Sequence, residues 1–214
     1  MHSPERAKLI PLAAAALVGA ALIFVPSGSG VSQVAVSETS GSLKPPSAFA
    51  GIADPGERSA ALFVEAGKVL LHPRCVNCHP AGDRPLQGDA GALHEPWVRR
   101  GADGFGAVGL RCMACHQAAN YDAVAMPGHP KWHLAPAEMA WEGRSLGQIC
   151  AQLKDRERNG GKTLEEIVEH SAHDSLVGWG WNPGVGRQPA PGTQAEFGAL
   201  IKAWAETGAK CPSP

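Results

Sequence analysis

The sequence predicts a mainly α-helical domain with long loops. Three segments begin with a capping box, in which Ser or Thr is followed three positions later by Gln or Glu. These boxes start at Ser145, Thr163 and Thr193. No long stretch alternates apolar and polar residues as a half-buried strand would. The 26 glycines and 18 prolines among 214 residues indicate many loops between the helices.

The first 53 residues are predicted to lie outside this domain. Residues 1–26 include the apolar stretch Leu9–Val25 after a weakly basic start. The length of this stretch fits either a signal peptide or an N-terminal membrane anchor. Residues 27–53 are rich in Ser, Gly, Val and Pro with few charges, which predicts a flexible linker. In either case the remaining chain is exported, so we expect it in the periplasm or facing it from an anchor.

Residues 54–214 are predicted to form the folded domain. Asp54-Pro55 is a helix start with proline in the first turn, and apolar residues at helical spacing continue from Ala60 to Leu70. The Gly-rich segment 80–110 is expected to be irregular.

Each capping box is expected to open a helix. The first helix should run toward Arg158, where Asn-Gly-Gly follows, and the second should run to His170. The third has Gly208 at the position that often ends a helix. Segment 177–183, between the second and third, is predicted to be a packed loop.

Two C-x-x-C-H motifs, Cys75–His79 and Cys112–His116, lie inside the domain. This motif is the attachment signature of c-type haem. Two thiols one turn apart can each form a thioether to a haem vinyl group, and the adjacent histidine then binds the iron. We therefore predict two c-type haems, bound by Cys75, Cys78, His79, Cys112, Cys115 and His116.

Two other kinds of site contain paired cysteines. A four-cysteine zinc ribbon uses two C-x-x-C pairs, and a thioredoxin-like site uses one. Neither requires a histidine after both pairs, and a dithiol site usually stands alone. The two histidines therefore favour haem.

The motifs begin only 37 positions apart, at Cys75 and Cys112. That interval is too short for a complete single-haem domain around the first haem. The sequence therefore predicts one compact dihaem cytochrome c fold with long Gly/Pro-rich loops, not two tandem single-haem domains. Haems within one such fold should lie close together, which suits electron transfer between them.

The sixth ligands of the irons are predicted from the remaining histidines and methionines. His94 lies in the irregular segment between the motifs, and Met139 follows a proline-rich loop. His170 and then His133 are further candidates, after His94 and Met139. Each candidate also has a simpler role, as an exposed or propionate-binding histidine or as a core methionine. A His/Met iron would have a higher potential than a His/His iron, which would set a direction for electron flow.

Cys150 and Cys211 remain after the motif thiols are assigned. In an exported chain, an even number of cysteines outside the motifs favours a disulfide between them, although two separate buried thiols are the alternative. Six of the twelve aromatic residues are tryptophans. We expect these tryptophans to pack against porphyrin and to donate their N–H groups to propionates or carbonyls.

The chain resembles a family of exported dihaem c-type cytochromes, often named as cytochrome subunits of isoquinoline 1-oxidoreductase-type molybdenum hydroxylases. The resemblance spans roughly residues 60–212. It is carried by Cys75–Pro80, His94–Gly101, Cys112–Gln117, Trp132–Pro136, Met139–Trp141 and Trp179–Gly184. It implies an electron acceptor for a periplasmic oxidase or dehydrogenase.

The net charge of −1 and the pI of about 6.7 indicate no positive electrostatic field that would attract nucleic acid. The two motifs predict an electron carrier and not an enzyme. The resemblance implies redox proteins as partners, such as a periplasmic molybdenum hydroxylase or a membrane oxidase. The alternatives are a haem-bearing subunit of a membrane-anchored redox or photosynthetic complex, and a dihaem peroxidase. Dihaem peroxidases resemble two fused cytochrome domains, are longer, and need a displaceable sixth ligand.

Overall fold

The structure, a computed structural model, describes residues 41–213. The predicted leader 1–26 and linker residues 27–40 lie outside this range. The described residues are mainly α, with 42% in helices and 6% in strands. Within residues 41–213, no helix has both the length and the apolar character needed to cross a bilayer.

Six α-helices lie in this part of the chain. They are α1 Pro55–Leu70, α2 Pro73–Val76, α3 Leu146–Lys154, α4 Leu164–His173, α5 Ser175–Gly178 and α6 Gln194–Glu206. Short 3-10 helices span Pro46–Phe49, Cys112–Ala114, Asp122–Val124, Ala137–Met139 and Trp179–Trp181.

Two small antiparallel hairpins occupy the segment between the haem motifs. Strand β1 (Leu86–Gln87) pairs with β2 (Ala92–Leu93), and β3 (Gly106–Ala107) pairs with β4 (Leu110–Arg111). The segment expected to be irregular thus contains two short hairpins, and the rest of residues 80–110 forms turns and loops. Gly106 has φ +98°, and a Cβ there would lie 2.8 Å from the Cys112 amide nitrogen, so the second hairpin requires glycine.

All three predicted capping boxes are formed, with both reciprocal hydrogen bonds present in each. The predicted end of α6 is also confirmed, with Gly208 directly after the C-cap residue Thr207 at φ +103°, whereas the other two predicted ends are less accurate. Helix α3 stops at Lys154 because Asp155 is extended, and the side chain of buried Asn159 holds the following turn through the Leu153 and Lys162 carbonyls. Helix α4 continues past His170 to His173. The prediction of a loop at 177–183 was wrong, since α5 and a 3-10 turn occupy most of it.

Helix α6 packs against both α1 and α4. The fully buried Trp204 of α6 contacts Phe63 of α1, with ring centroids 4.9 Å apart. On the α4 side the backbones approach closely, because a Cβ on Gly198 would lie 2.5 Å from the Ala172 Cβ. The hydrophobic core is therefore centred on the last helix of the chain.

The predicted flexible linker is wrong for residues 43–49. Leu43 is buried in the core, and the Lys44 amide donates a hydrogen bond to Glu65 of α1 over 2.9 Å. The 3-10 helix Pro46–Phe49 follows, and Phe49 packs against the same core. The folded part therefore includes residues that precede Asp54.

The C-terminal segment is fastened to the core at two points. A disulfide joins Cys150 of α3 to Cys211, with their Cα atoms 5.5 Å apart. The fully buried Ser59 hydroxyl of α1 donates to the Trp204 carbonyl and accepts from the Lys210 amide, each over 3.0 Å. The end of the chain is thus tied to both α1 and α3.

Candidate haem site

Helix α1 leads almost directly into the first C-x-x-C-H motif. Asp54 caps α1 by accepting a hydrogen bond from the Glu57 amide, and α2 begins three residues after α1 ends. The short helix α2 places Cys75 and Cys78 one turn apart, with the Cys78 amide donating to the Cys75 carbonyl over 3.1 Å. The helical turn presents both thiols together, as two thioether bonds to one haem require.

The first motif histidine, His79, is fixed in one tautomer. Its Nδ1 lies 2.7 Å from the Met139 carbonyl oxygen, and this oxygen can only accept a hydrogen bond. Burial lowers the pKa of His79 to about 3, so the ring is neutral and carries its single proton on Nδ1. Nε2 consequently has a free lone pair. The ring also stacks on Trp141 with a centroid distance of 3.5 Å.

The second motif repeats this arrangement. Cys112 lies in a 3-10 turn, and the His116 amide donates to the Cys112 carbonyl over 2.9 Å. The His116 Nδ1 lies 2.8 Å from the Pro127 carbonyl oxygen, and its ring stacks on Trp132. Burial lowers the pKa of His116 as well. Both motif histidines therefore offer Nε2 as a metal ligand, held by a carbonyl on one side and a tryptophan face on the other.

The four motif cysteines are free thiols. Burial raises the pKa of Cys75 to about 12 and that of Cys78 to about 11. Burial also raises the pKa of Cys112. A thioredoxin-like site requires a lowered thiol pKa, and these three thiols have the opposite.

The two motifs meet at one cavity of about 530 Å³. Its lining includes Cys78 from the first motif and Cys112, Cys115 and His116 from the second. The lining is predominantly apolar, and its volume is typical of a site for a small organic ligand or cofactor. Of the predicted haem-binding residues in the first motif, Cys78 is the one in this lining, and the predicted closeness of two haems stays a prediction.

Several polar groups around the motifs suit the two carboxylates of a haem. The Trp141 Nε1 and the Nε atoms of Arg74 and Arg100 are buried without a hydrogen-bond partner among the described residues. Arg74, Arg111 and Arg187 line the cavity, and the Arg74 side chain is only 2% exposed. Unpartnered buried donors are costly unless a ligand satisfies them. The residues present therefore fit a haem.

Met139 lies in the hydrophobic core. Its side chain is 5% exposed, and its carbonyl oxygen lies 2.7 Å from the His79 Nδ1. These contacts are those of its simpler role, a core methionine. Met139 as a sixth ligand stays a prediction, and so does the downhill order of potentials that depends on a His/Met iron.

The three candidate histidines lie in different places. His94 lines the cavity together with His116, and their rings have centroids 5.8 Å apart and planes inclined by 66°. His133 also lines the cavity, and its ring stacks on Phe105. His170 lies on α4, 3.7 Å from Asp174, and is close enough to His79 for its charge to lower the His79 pKa. His170 stays a candidate ligand for the first haem.

Some residues of the site have no signature in the sequence. The carbonyls of Met139 and Pro127 orient the two motif histidines, although any residue could supply a carbonyl. Arg74 could have been suspected, since it directly precedes Cys75. Its buried ion pair with Asp89, at 2.7 Å, depends on a hairpin that sequence patterns did not predict.

Within residues 41–213, no group of three or more His, Cys, Asp or Glu side chains could hold a metal ion. A haem iron takes four of its ligands from the porphyrin, so it needs at most two from the chain. Comparisons with protein-family models, with curated proteins and with solved structures gave no match.

Proposed function

We propose that this protein is a dihaem c-type cytochrome that carries single electrons in the periplasm, between a dehydrogenase or oxidoreductase and a downstream acceptor. The observation that carries the proposal is the repeated arrangement of the two C-x-x-C-H motifs. In each, the histidine donates Nδ1–H to a backbone carbonyl and keeps the Nε2 lone pair. A bound haem supplies an iron that gains and loses one electron.

The chain's own groups would hold and insulate the two haems. Cys75 and Cys78 would bind one haem and Cys112 and Cys115 the other, while His79 and His116 would each supply an axial nitrogen. Trp141 and Trp132 stack on these histidines and restrict their rotation. Arg74 and Arg111 at the cavity already pair with Asp89 and Asp103, so Arg187 would offer its charge to a propionate. Apolar lining excludes water, which limits the reorganisation that accompanies electron transfer.

The alternative functions differ in measurable ways. A dihaem peroxidase must open one sixth coordination position and turn over peroxide, so purified protein with no peroxide turnover supports the carrier. A subunit of a membrane-anchored complex would retain residues 1–26, whereas a soluble shuttle would lose them. The mass of the mature chain distinguishes these two cases.

The decisive experiment is to produce the full chain together with haem maturation machinery and to measure its mass and its reduced-minus-oxidised spectrum. We expect two covalently added haems per chain. The double variant Cys75→Ala/Cys78→Ala should lose one haem, and so should Cys112→Ala/Cys115→Ala.

The matched control is Cys150→Ala/Cys211→Ala, which removes two cysteines outside the motifs and should keep both haems. The proposal would be refuted if the protein isolated from its natural host had bare thiols or bound zinc in place of haem. If the control lost both haems, the haem loss in the motif variants would reflect impaired folding and not the loss of attachment cysteines.

A further inference from the structure

We infer that His94 is the sixth ligand of the haem attached at Cys112 and Cys115, so that this haem is bound by two histidines, His116 and His94. The inference rests on the proposed function, since it names the ligands of a haem proposed above. It goes beyond that function because it assigns the coordination of one particular iron and the segment that supplies the ligand.

The separation of the two rings is the first argument. The centroids of the His94 and His116 rings are 5.8 Å apart. An iron between two imidazoles would separate their centroids by about 6 Å, because each metal–nitrogen bond is about 2.0 Å. Both rings border the same cavity, which also contains the Cys112 and Cys115 thiols.

The hydrogen bonding of His94 is the second argument. Its Nδ1 lies 3.0 Å from the Pro96 carbonyl oxygen, which can only accept. In the tautomer that this contact requires, the proton is on Nδ1 and Nε2 has a free lone pair. The motif histidines have the same kind of contact between Nδ1 and a backbone carbonyl, although His94 belongs to no motif.

The backbone of His94 is held firmly in place. Its amide donates to the Pro85 carbonyl over 2.9 Å, and its own carbonyl accepts from the Arg84 guanidinium over 2.6 and 3.0 Å. His94 directly follows β2, whose pairing with β1 sets the register of the segment. A ligand fixed by its backbone in this way loses little entropy when it binds a metal.

Two other residues of the cavity could compete. Met126 lines the cavity next to Pro127, whose carbonyl binds the His116 Nδ1. His133 has the same kind of Nδ1 contact as His94, 2.5 Å from the Lys131 carbonyl, but its ring stacks on Phe105. The His94 ring is the one that lies against the ring of His116, so His94 is favoured.

The test compares His94→Ala with His133→Ala in the full haem-loaded chain. Haem content is measured first and should remain two per chain in wild type and both variants. The ferric His94→Ala protein should show a new high-spin signal by electron paramagnetic resonance, and its ferrous form should bind one more carbon monoxide per chain than wild type. Added imidazole should reverse the spin change. His133→Ala, the matched control, should resemble wild type.

The other possible results separate failure of this inference from failure of the proposed function. Two-haem His94→Ala protein with unchanged spin state and carbon monoxide uptake would overturn the inference and leave the proposed function intact. The inference is equally overturned if His133→Ala alone gains the open position. If His94→Ala accumulates poorly, His94→Met replaces it: a new near-red sulfur-to-iron band supports His94, and a spectrum identical to wild type overturns it. Wild type without haem would instead refute the proposed function.

Discussion

Removal of the disulfide between Cys150 and Cys211 should lower the stability of the folded domain substantially. The bond closes a loop with a sequence separation of 61 residues. In the chain-entropy description, a loop of that length removes about 14 cal/mol/K from the unfolded state, or about 4 kcal/mol at 25 °C. At 2–4 °C per kcal/mol for a domain of this size, the melting temperature should fall by roughly 8–16 °C.

The assay is urea unfolding of Cys150→Ala/Cys211→Ala beside wild type, followed by circular dichroism, with both haems present. Wild type that has been reduced and alkylated should unfold at nearly the same urea concentration as the variant. Mass analysis of intact wild type must first show the bond. The reasoning would be refuted if the free energy of unfolding of the variant were within about 1 kcal/mol of that of disulfide-bonded wild type. The closed loop would then contribute almost nothing to stability.

Three further changes test the packing described above. Ser59→Ala should cost about 1–3 kcal/mol by urea unfolding, because it removes both hydrogen bonds of a fully buried hydroxyl, to the Trp204 carbonyl and from the Lys210 amide. Gly198→Ala should destabilise the protein by about 1 kcal/mol or more despite the better helix propensity of alanine, since the new methyl would overlap Ala172. Burial opposes ionisation of Glu65, but hydrogen bonds from nearby lysine groups outweigh it and lower its pKa. The stability that the Glu65 carboxylate contributes is therefore complete above pH 4.5 and is lost as the pH falls through the lower pKa of the folded state. Glu65→Gln should weaken hydrogen-exchange protection of the Lys44 amide at neutral pH. The protection that remains should no longer fall as this carboxyl group would be protonated.

The serine and glycine changes each have a control in an open position. Ser47→Ala alters an exposed serine of the 3-10 helix and should change stability by less than about 0.5 kcal/mol. Gly82→Ala adds a methyl where nothing lies within 4 Å. If Gly198→Ala proved as stable as Gly82→Ala, the close approach of α4 and α6 would be wrong. Equal protection of Lys44 in wild type and Glu65→Gln would show that the carboxylate does not hold this segment.

Helix starts could be predicted from the sequence because their determinants are local. A capping box specifies both of its hydrogen bonds within four residues, and all three are present at Ser145, Thr163 and Thr193. Helix ends depended on partners elsewhere, as the Asn159 turn shows for α3. The ordering of residues 43–49 also required α1 and the core, so composition alone suggested a linker.

The candidate site shows the same difference between residues set by local sequence and residues set by long-range packing. The attachment residues are adjacent in sequence, and the structure gives each motif the turn that the spacing predicts. The residues expected to complete the irons depend on long-range packing. Met139 follows a proline-rich loop as a distal methionine would, yet the fold uses its carbonyl and buries its side chain. The opposition of His94 and His116 follows from hairpins too short to produce a sequence pattern.

The pairing of α1 with α6 has a consequence for how the protein is made. Helix α1 stands just before the first motif, but its main packing partner is the last helix of the chain. A chain that emerges from its N-terminus would therefore present α1, and the motif that follows it, well before α6 is available to pack against α1. In the folded chain, burial raises the pKa of Cys75 to about 12, so this thiol is a weaker acid there than in the unfolded chain. If the proposed function holds, the thioether bonds would form more readily before α1 and α6 have packed together.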